Sequence, residues 1–403
     1  MKLTVTTALA TSAILSVSAF QPNIRCSRVS SRAVRLTSQA DDTDATLDRR
    51  TFFASIVQKA AVASLVLTSS PSAIDVANAA DVFPKVYKPA ANSMNGKLVV
   101  ITGGNTGLGL ESVKRLAAAG ATVVLTSRDA GKGRKAVDEV TTYLDANGVQ
   151  GGKVMAANLD LCDLDNVKTF NNRLKEIIGD KKVDVLMNNA GVMAIPDLTL
   201  TKDGYEKTFQ TNHLGHFALT ATIMPLLASN ARIINVSSLG YQFAGKGLEL
   251  DNLNGEKQYG PWSSYGLSKL ENILFTNELQ KRAQQSDKWS GLTAFSLHPG
   301  AVQTDLARYL IGEEKFNSMK ENGFSSWTDK LVMESMAKFI KTVEEGASTQ
   351  VYLAAADNIT PSMAGKFFDN GKVEKVNGFA TDDEKAKELW AVSEKLSGVQ
   401  FKL

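Results

Sequence analysis

Two side chains in this 403-residue chain are spaced for proton transfer. Tyr265 and Lys269 are four apart, so on a helix they share one face. A phenol titrates near pKa ~10 and is a poor acid or base at neutral pH. An ammonium one turn away favours the phenolate and is expected to lower that value. Taken alone, the pair would also suit any exposed helix. A second chemical signal lies upstream, in the stretch KLVVITGGNTGLG, residues Lys97 to Gly109. The run Leu98–Ile101 suits a buried parallel strand, and Leu110, Val113, Leu116 and Ala117 then return at helical spacing. Between them Gly103, Gly107 and Gly109 allow a tight turn and a close approach of a ligand to the backbone. Strand, glycine turn and helix N-terminus together make a phosphate cradle. His213 and His216, three apart, offer two metal ligands on one helical face, but no third is near in sequence, and no metal site is expected.

The elements that must position these residues follow from periodicity. Apolar strand patterns recur at 98–101, 121–126, 153–158, 183–187, 232–237 and 292–297. Helical patterns separate them, at 129–144, 163–178, 205–227 and 265–282. The alternation predicts a single α/β domain, a doubly wound parallel sheet of Rossmann type with helices on both faces. Ligands bind such sheets at the strand C-termini, near the point where strand order reverses. The glycine loop, Ser127-Arg128, Asp160, Asn188–Gly191, Ser237-Ser238 and His298-Pro299-Gly300 all fall at such ends. Residues 306–343, rich in Met, Phe and Lys, read as helices of a substrate lid.

Four motifs occur in one order: Thr102-Gly-x-x-x-Gly-x-Gly109, Asn188-Asn-Ala-Gly191, Tyr265-x-x-x-Lys269 and Pro299-Gly300. Their order and spacing resemble the short-chain dehydrogenase/reductase superfamily, from about Lys97 to the C-terminus. Asn212-His-Leu-Gly-His-Phe217, Asn235-Val-Ser-Ser238 and Ser268-Lys-Leu-Glu-Asn-Ile-Leu-Phe275 resemble its retinol-dehydrogenase-like branch. The resemblance implies a catalytic set of Asn212, Ser238, Tyr265 and Lys269. Ser238 would hold the substrate oxygen, Tyr265 would move the proton, Lys269 would tune it and bind the nicotinamide ribose, and Asn212 would support a water-linked relay. It also implies a nicotinamide site built from Gly103, Asn105, Thr106, Gly107, Leu108 and Gly109. Ser127, Arg128, Asp160, Leu161, Asn189, Ala190, Gly191, Pro299, Gly300 and Thr304 complete that site, with Tyr265 and Lys269. Ser238 stands farther from Tyr265 than in compact members; the intervening Tyr241, Phe243, Tyr259 and Trp262 either border the substrate mouth or simply pack.

Cofactor choice turns on the end of the second strand. NAD enzymes usually place a carboxylate there to accept from the ribose 2′-hydroxyl. Ser127 and Arg128 stand there instead, and a guanidinium suits a 2′-phosphate through paired donors. NADP(H) is therefore expected, although Asp129, one position later, keeps NAD open. The branch resemblance implies an apolar alcohol or carbonyl substrate, isoprenoid or retinoid-like. Two other readings stay open: a protochlorophyllide-reductase-like enzyme, and a non-catalytic NADP(H)-sensing partner.

Composition sets the outer bounds. Hydrophobic residues make up 43% and charged residues 22%, with a net charge of +3, so no nucleic-acid surface is implied. Two cysteines cannot build a disulfide framework. Residues 1–79 read as targeting sequence rather than fold. The first forty residues hold no acid; an apolar stretch is followed by Arg25, Arg28, Arg32 and Arg35 among serines. The junction at Ala19-Phe20 resembles the bipartite signals of complex plastids. Arg49-Arg50, an apolar run and Ala77-Asn78-Ala79 then resemble a twin-arginine signal for the thylakoid lumen. The expected enzyme domain is 80–403, with the plastid stroma or a membrane anchor at 51–70 as the rival placement. Peripheral membrane contact and oligomers are compatible with this reading.

Overall fold

The computed structural model describes residues 83–302, apart from Lys246, and residues 341–403. The targeting segment, Thr304 and nearly all of the expected lid lie outside the described residues. Eight strands form one sheet in the order β3-β2-β1-β4-β5-β6-β7-β8. They are β1 (Leu98–Ile101), β2 (Thr122–Ser127), β3 (Lys153–Asn158), β4 (Val183–Asn188), β5 (Leu227–Val236), β6 (Thr293–His298), β7 (Phe367–Asp369) and β8 (Lys372–Glu374). All pairings are parallel except β7 with β8. The helices between them are α1 (Gly107–Ala118), α2 (Ala130–Ala146), α3 (Leu164–Lys168), α4 (Phe170–Ile178), α5 (Lys207–Phe209), α6 (Gly215–Ile223), α7 (Pro261–Gln284), α8 (Val343–Ala355) and α9 (Asp383–Ser397).

Strand order runs one way from β1 to β3 and the other way from β4 onward, so the topological switch lies between β1 and β4. β1 is apolar throughout and β4 is apolar apart from Asp184 and Asn188, because both of their faces are covered. Leu98, Val100, Val183 and Leu186 pack with Phe170, Phe217, Phe275 and Trp390. Val99, Ile101, Val185 and Met187 face the opposite way and pack with Val113, Leu116, Val140 and Val351. Side chains from one strand thus feed two cores, which is the doubly wound layout expected from the alternation.

The structure departs from the expected elements in three places. The helix read at 205–227 is broken. Glu206 caps α5 through the amides of Thr208 and Phe209, a π-turn spans Gln210–Leu214, and α6 follows. The amide of Gly215 reaches back five residues, to Gln210. A methyl group on Gly215 would stand 2.7 Å from the Leu161 carbonyl oxygen, so α6 presses directly on the chain after β3. Pro225, which has no amide hydrogen, sits in the 3-10 turn that ends this segment. Second, α7 starts at Pro261 rather than at 265, with proline in the first turn where no donor is needed. Third, β7, β8 and α9 extend the fold beyond the six expected strands. Strands of three residues are too short to show a period. On α9, Trp390 is buried, with its ring 5.1 Å from Phe217 and 4.4 Å from Phe401. Among the described residues no helix is long and apolar enough to cross a membrane.

One feature of α7 is costly. Glu271 is fully buried, and neither carboxyl oxygen has a hydrogen-bond partner. Burial, with the nearby Glu206 adding repulsion, pushes its titration well above the ordinary 4.5. The folded chain therefore holds a proton that the unfolded chain has lost above pH 4.5, so this group's contribution falls as pH rises. Glu271→Gln, which mimics the protonated form, should gain stability over wild type as pH rises from 5 to 7.5. The gap should widen by at most about 1.4 kcal/mol per pH unit. Urea midpoints of both proteins across that range check this; a constant gap would show that Glu271 does not hold its proton.

Candidate active site

The switch point is held by one hydroxyl. Thr102 follows β1 and is fully buried. Its Oγ1 accepts the amides of Asn189 and Ala190, at 2.8 and 2.9 Å, just past β4. The same atom lies 2.8 Å from His216 Nε2 on α6. His216 Nδ1 lies 3.0 Å from the carbonyl oxygen of Asn212 in the π-turn. A carbonyl can only accept, so Nδ1 carries the proton and Nε2 accepts the threonine hydrogen. Burial holds His216 at about 4, which keeps the ring neutral as this chain of bonds requires. In the sequence Thr102 marks only the start of the glycine motif and His216 stands only as a candidate metal ligand; their bond to each other joins distant residues and leaves no local signal. His213, three residues away, bonds Ser393 instead, at 2.9 Å.

From that hub the catalytic candidates converge. Asn212 is fully buried: its Oδ1 accepts the Val192 amide at 2.8 Å, and its Nδ2 donates to Val192 O and Ser268 Oγ, each at 2.9 Å. A methyl group on Gly191 would stand 3.2 Å from Asn212 Oδ1 and 3.5 Å from Lys269 Nζ, so these three residues meet. Lys269 is buried on α7 and donates to Val236 O at 3.0 Å. Its ammonium sits 5.6 Å from the centre of the Tyr265 ring. Ser238 follows β5, and its Oγ accepts the Gly240 amide at 3.0 Å. That leaves the Ser238 hydrogen for an oxygen in front of it, and the Tyr265 phenol is its neighbour there. Gly240 was also missed in the sequence. A methyl group there would stand 2.8 Å from Tyr265 Cε1, so only glycine lets the turn lie under the ring.

The electrostatics differ from the expectation of an ammonium-tuned phenol. Burial raises the Tyr265 titration, with the Ser238 hydrogen bond opposing it. Burial also lowers Lys269 to about 8. Desolvation penalises both charged forms and outweighs their mutual attraction across this separation.

The expected cofactor residues line the same end of the sheet, but not all point their side chains outward. Gly103, Asn105 and Thr106 form the turn before α1, and Gly107, Leu108 and Gly109 open the helix. Thr106 makes no capping bond with its side chain, and no acid sits in the first turn, so the amides there are open to an anion. A methyl group on Gly109 would stand 2.4 Å from the Gly103 carbonyl oxygen, so glycine is required for the helix to start this close to the loop. Arg128 is exposed just past β2. Ser127, by contrast, donates to Asp129 O at 2.9 Å and is buried; Asn189 bonds Thr102 O and Gln350; Leu161 is a core residue. Ser127 and Leu161 are thus buried, whereas Asn189, although bonded internally, stays partly exposed. Asp160 takes the Cys162 amide on Oδ1 at 2.9 Å, beyond β3. Pro299 and Gly300 follow β6, where Lys341 Nζ donates to Pro299 O at 3.3 Å. Of the four loop aromatics, Tyr241 is core, edge-on to Phe367 and Phe379. Trp262 lies edge-on between Phe243 and Tyr265, and Tyr259 binds Ile195 O at 2.6 Å.

A family profile described as short chain dehydrogenase matches residues 97–315, which includes every one of these sites. The chain belongs to the short-chain dehydrogenase family. It is 36% identical over 308 residues to retinol dehydrogenase 12 of Mus musculus, covering 76% of this chain and 88% of that protein. It is 38% identical over 306 residues to retinol dehydrogenase 11 of Homo sapiens, covering 75% and 86%. Among solved structures, an uncharacterised protein from Mycobacterium Paratuberculosis is 33% identical with a TM-score of 0.59, covering 79% of this chain and 100% of that one. This short-chain dehydrogenase is thus an oxidoreductase related to retinol dehydrogenases. If Tyr265 is the proton donor and Lys269 its charged partner, as the family resemblance implies, carbonyl reduction needs the phenol protonated and the ammonium charged. With Lys269 at about 8, kcat/KM for carbonyl reduction should be level below pH 7 and fall tenfold per unit well above pH 8. A pH–rate profile measures this; no decline up to pH 10 would show that Lys269 stays charged.

Proposed function

We propose that this short-chain dehydrogenase uses NADP(H) to interconvert an apolar alcohol and its carbonyl compound, with an isoprenoid or retinoid-like skeleton. The observation that carries the cofactor half is the end of β2. Arg128 is exposed there, while Asp129, the next residue, accepts the Lys132 amide on Oδ1 at 2.8 Å and caps α2. A 2′-phosphate would meet a guanidinium, whereas a 2′-hydroxyl would have to compete with the start of α2 for the Asp129 carboxylate. The open amides at the start of α1 would hold the diphosphate. The bound nicotinamide supplies or accepts the hydride. Ser238 directs its hydrogen to the substrate oxygen, and Tyr265 gives that oxygen its proton. Lys269, held at Val236 O, supplies positive charge behind the phenol, and Asn212 holds the Val192 backbone and Ser268 around it. The apolar substrate class is supported by the retinol dehydrogenases to which the chain is similar, and by Phe243 and Trp262 beside Tyr265.

We further propose that targeting ends near Ala79 and that the mature enzyme works in a plastid, in the thylakoid lumen. Two signals in series motivate this. Such a cut would spare Phe83, whose ring lies 5.3 Å from Tyr352 on α8. N-terminal sequencing of the native protein tests it: a start near Ala80 supports the lumen, and a start between Phe20 and Arg49 in the membrane fraction overturns it.

For the cofactor, Arg128→Ala should weaken NADPH binding by about tenfold or more, as expected for loss of a charge-assisted pair, and leave NADH binding nearly unchanged. Titration of nucleotide fluorescence reads both; equal losses would remove the basis for NADP(H). For the chemistry, Tyr265→Phe keeps the ring and removes the proton. Turnover should fall by about 10²–10⁴-fold with NADPH binding intact. Undiminished turnover would exclude Tyr265 as the acid, and a wild type that binds NADPH yet reduces no carbonyl would favour a sensing role.

A further inference from the structure

The loop that carries Ser238 is tied down by three contacts from its neighbours. The Ser237 amide donates to Leu297 O on β6 at 2.8 Å. Ser237 Oγ donates to Lys269 O on α7 at 2.7 Å. The Leu239 amide, immediately after Ser238, donates to the ring nitrogen Nδ1 of His298 at 3.2 Å. The first two are the expected consequence of a parallel sheet covered by a helix. The third is different, because the acceptor is a side chain. His298 is the last residue of β6 and is 9% exposed.

We propose that His298 is a positioning residue that acts through Ser238. The inference rests on the catalytic reading above. To accept an amide hydrogen, Nδ1 must be bare, so the ring carries its proton on Nε2. Ser238 is extended, at φ −162 and ψ 155, and the chain turns sharply at Leu239 into the 3-10 turn Leu239–Ala244. The bond from Leu239 holds the start of that turn against β6. The turn in turn places the Gly240 amide on Ser238 Oγ and the Gly240 Cα under the Tyr265 ring. Freed from His298, the Leu239 amide loses its partner, and the Ser238 hydroxyl loses its fixed distance to the phenol. A shift of about 1 Å in such a group can cost 10²-fold in turnover.

Asparagine and glutamine separate this role from mere space filling. An Asn amide oxygen stands close to where histidine has Nδ1, whereas a Gln amide stands where it has Nε2. His298→Leu and His298→Gln should each lower kcat by roughly ten- to hundredfold, with NADPH affinity within about twofold of wild type. His298→Asn should keep most of kcat. Exchange of the Leu239 amide hydrogen, read by mass spectrometry or NMR, should be slow in wild type and Asn and fast in Leu and Gln. Wild-type kcat in the Leu variant, or equal losses in all three, would overturn the proposal. So would a Leu239 amide that exchanges equally in every variant. The exchange measurement needs no turnover, so it separates failure of this inference from failure of the oxidoreductase reading.

Discussion

A single threonine hydroxyl has three bonding sites, and Thr102 uses all of them. Two lone pairs take the amides of Asn189 and Ala190, and its hydrogen goes to His216. Those amides follow β4, the hydroxyl follows β1, and the two strands flank the point where the sheet reverses direction. Here a parallel sheet opens a crevice, because the connections from the two strands leave to opposite sides. An open crevice exposes strand-end amides that must find partners. Thr102 satisfies them without filling the space. Through His216 the same hydroxyl reaches the Asn212 carbonyl, so the cofactor loop and the π-turn share one anchor. The arrangement works only with a neutral imidazole, and complete burial supplies that condition.

Burial also governs the chemistry on α7. Lys269, Tyr265 and Glu271 lie within two turns of one helix, and desolvation pushes each toward its neutral form. At α7 this leaves Lys269 mostly charged at neutral pH but able to lose its proton in mildly alkaline solution. A lysine near 8 responds to small changes in its surroundings, whereas one at its ordinary 10.5 does not. The buried Glu271 has no partner to compensate it. It is a stability cost on the helix that carries Tyr265.

Much of the site's geometry is set by what is missing from glycine. Gly109 lets α1 begin against the Gly103 carbonyl, and Gly240 lets the turn after Ser238 lie beneath Tyr265. In both cases a methyl group would intrude on an atom that cannot move far, a backbone oxygen or a packed ring. Tyr265 also meets Trp262 edge-on, itself 6% exposed and set against Phe243. The ring therefore packs against the Gly240 backbone and the Trp262 indole.

The sequence alone determined the sheet, because strands covered on both faces must be apolar throughout and helices must return every three or four residues. The four-residue spacing of Tyr265 and Lys269 put them on one helical face, whereas Asn212 and Ser238 were expected only from the family resemblance. What the sequence could not show was which polar atoms are consumed internally. Ser127 and Asn189 carry the right chemistry for a ligand, yet their side chains satisfy the protein's own backbone. Asp129 is drawn into a helix cap in the same way. Such pairings join residues as far apart as Thr102 and His216, and no local pattern encodes them. The break in the 205–227 helix has the same origin, because Gly215 meets Leu161 from a distant strand end. Titration was likewise decided in three dimensions. Spacing put an ammonium beside a phenol, but only packing set how much water either keeps, and loss of that water outweighed the charge.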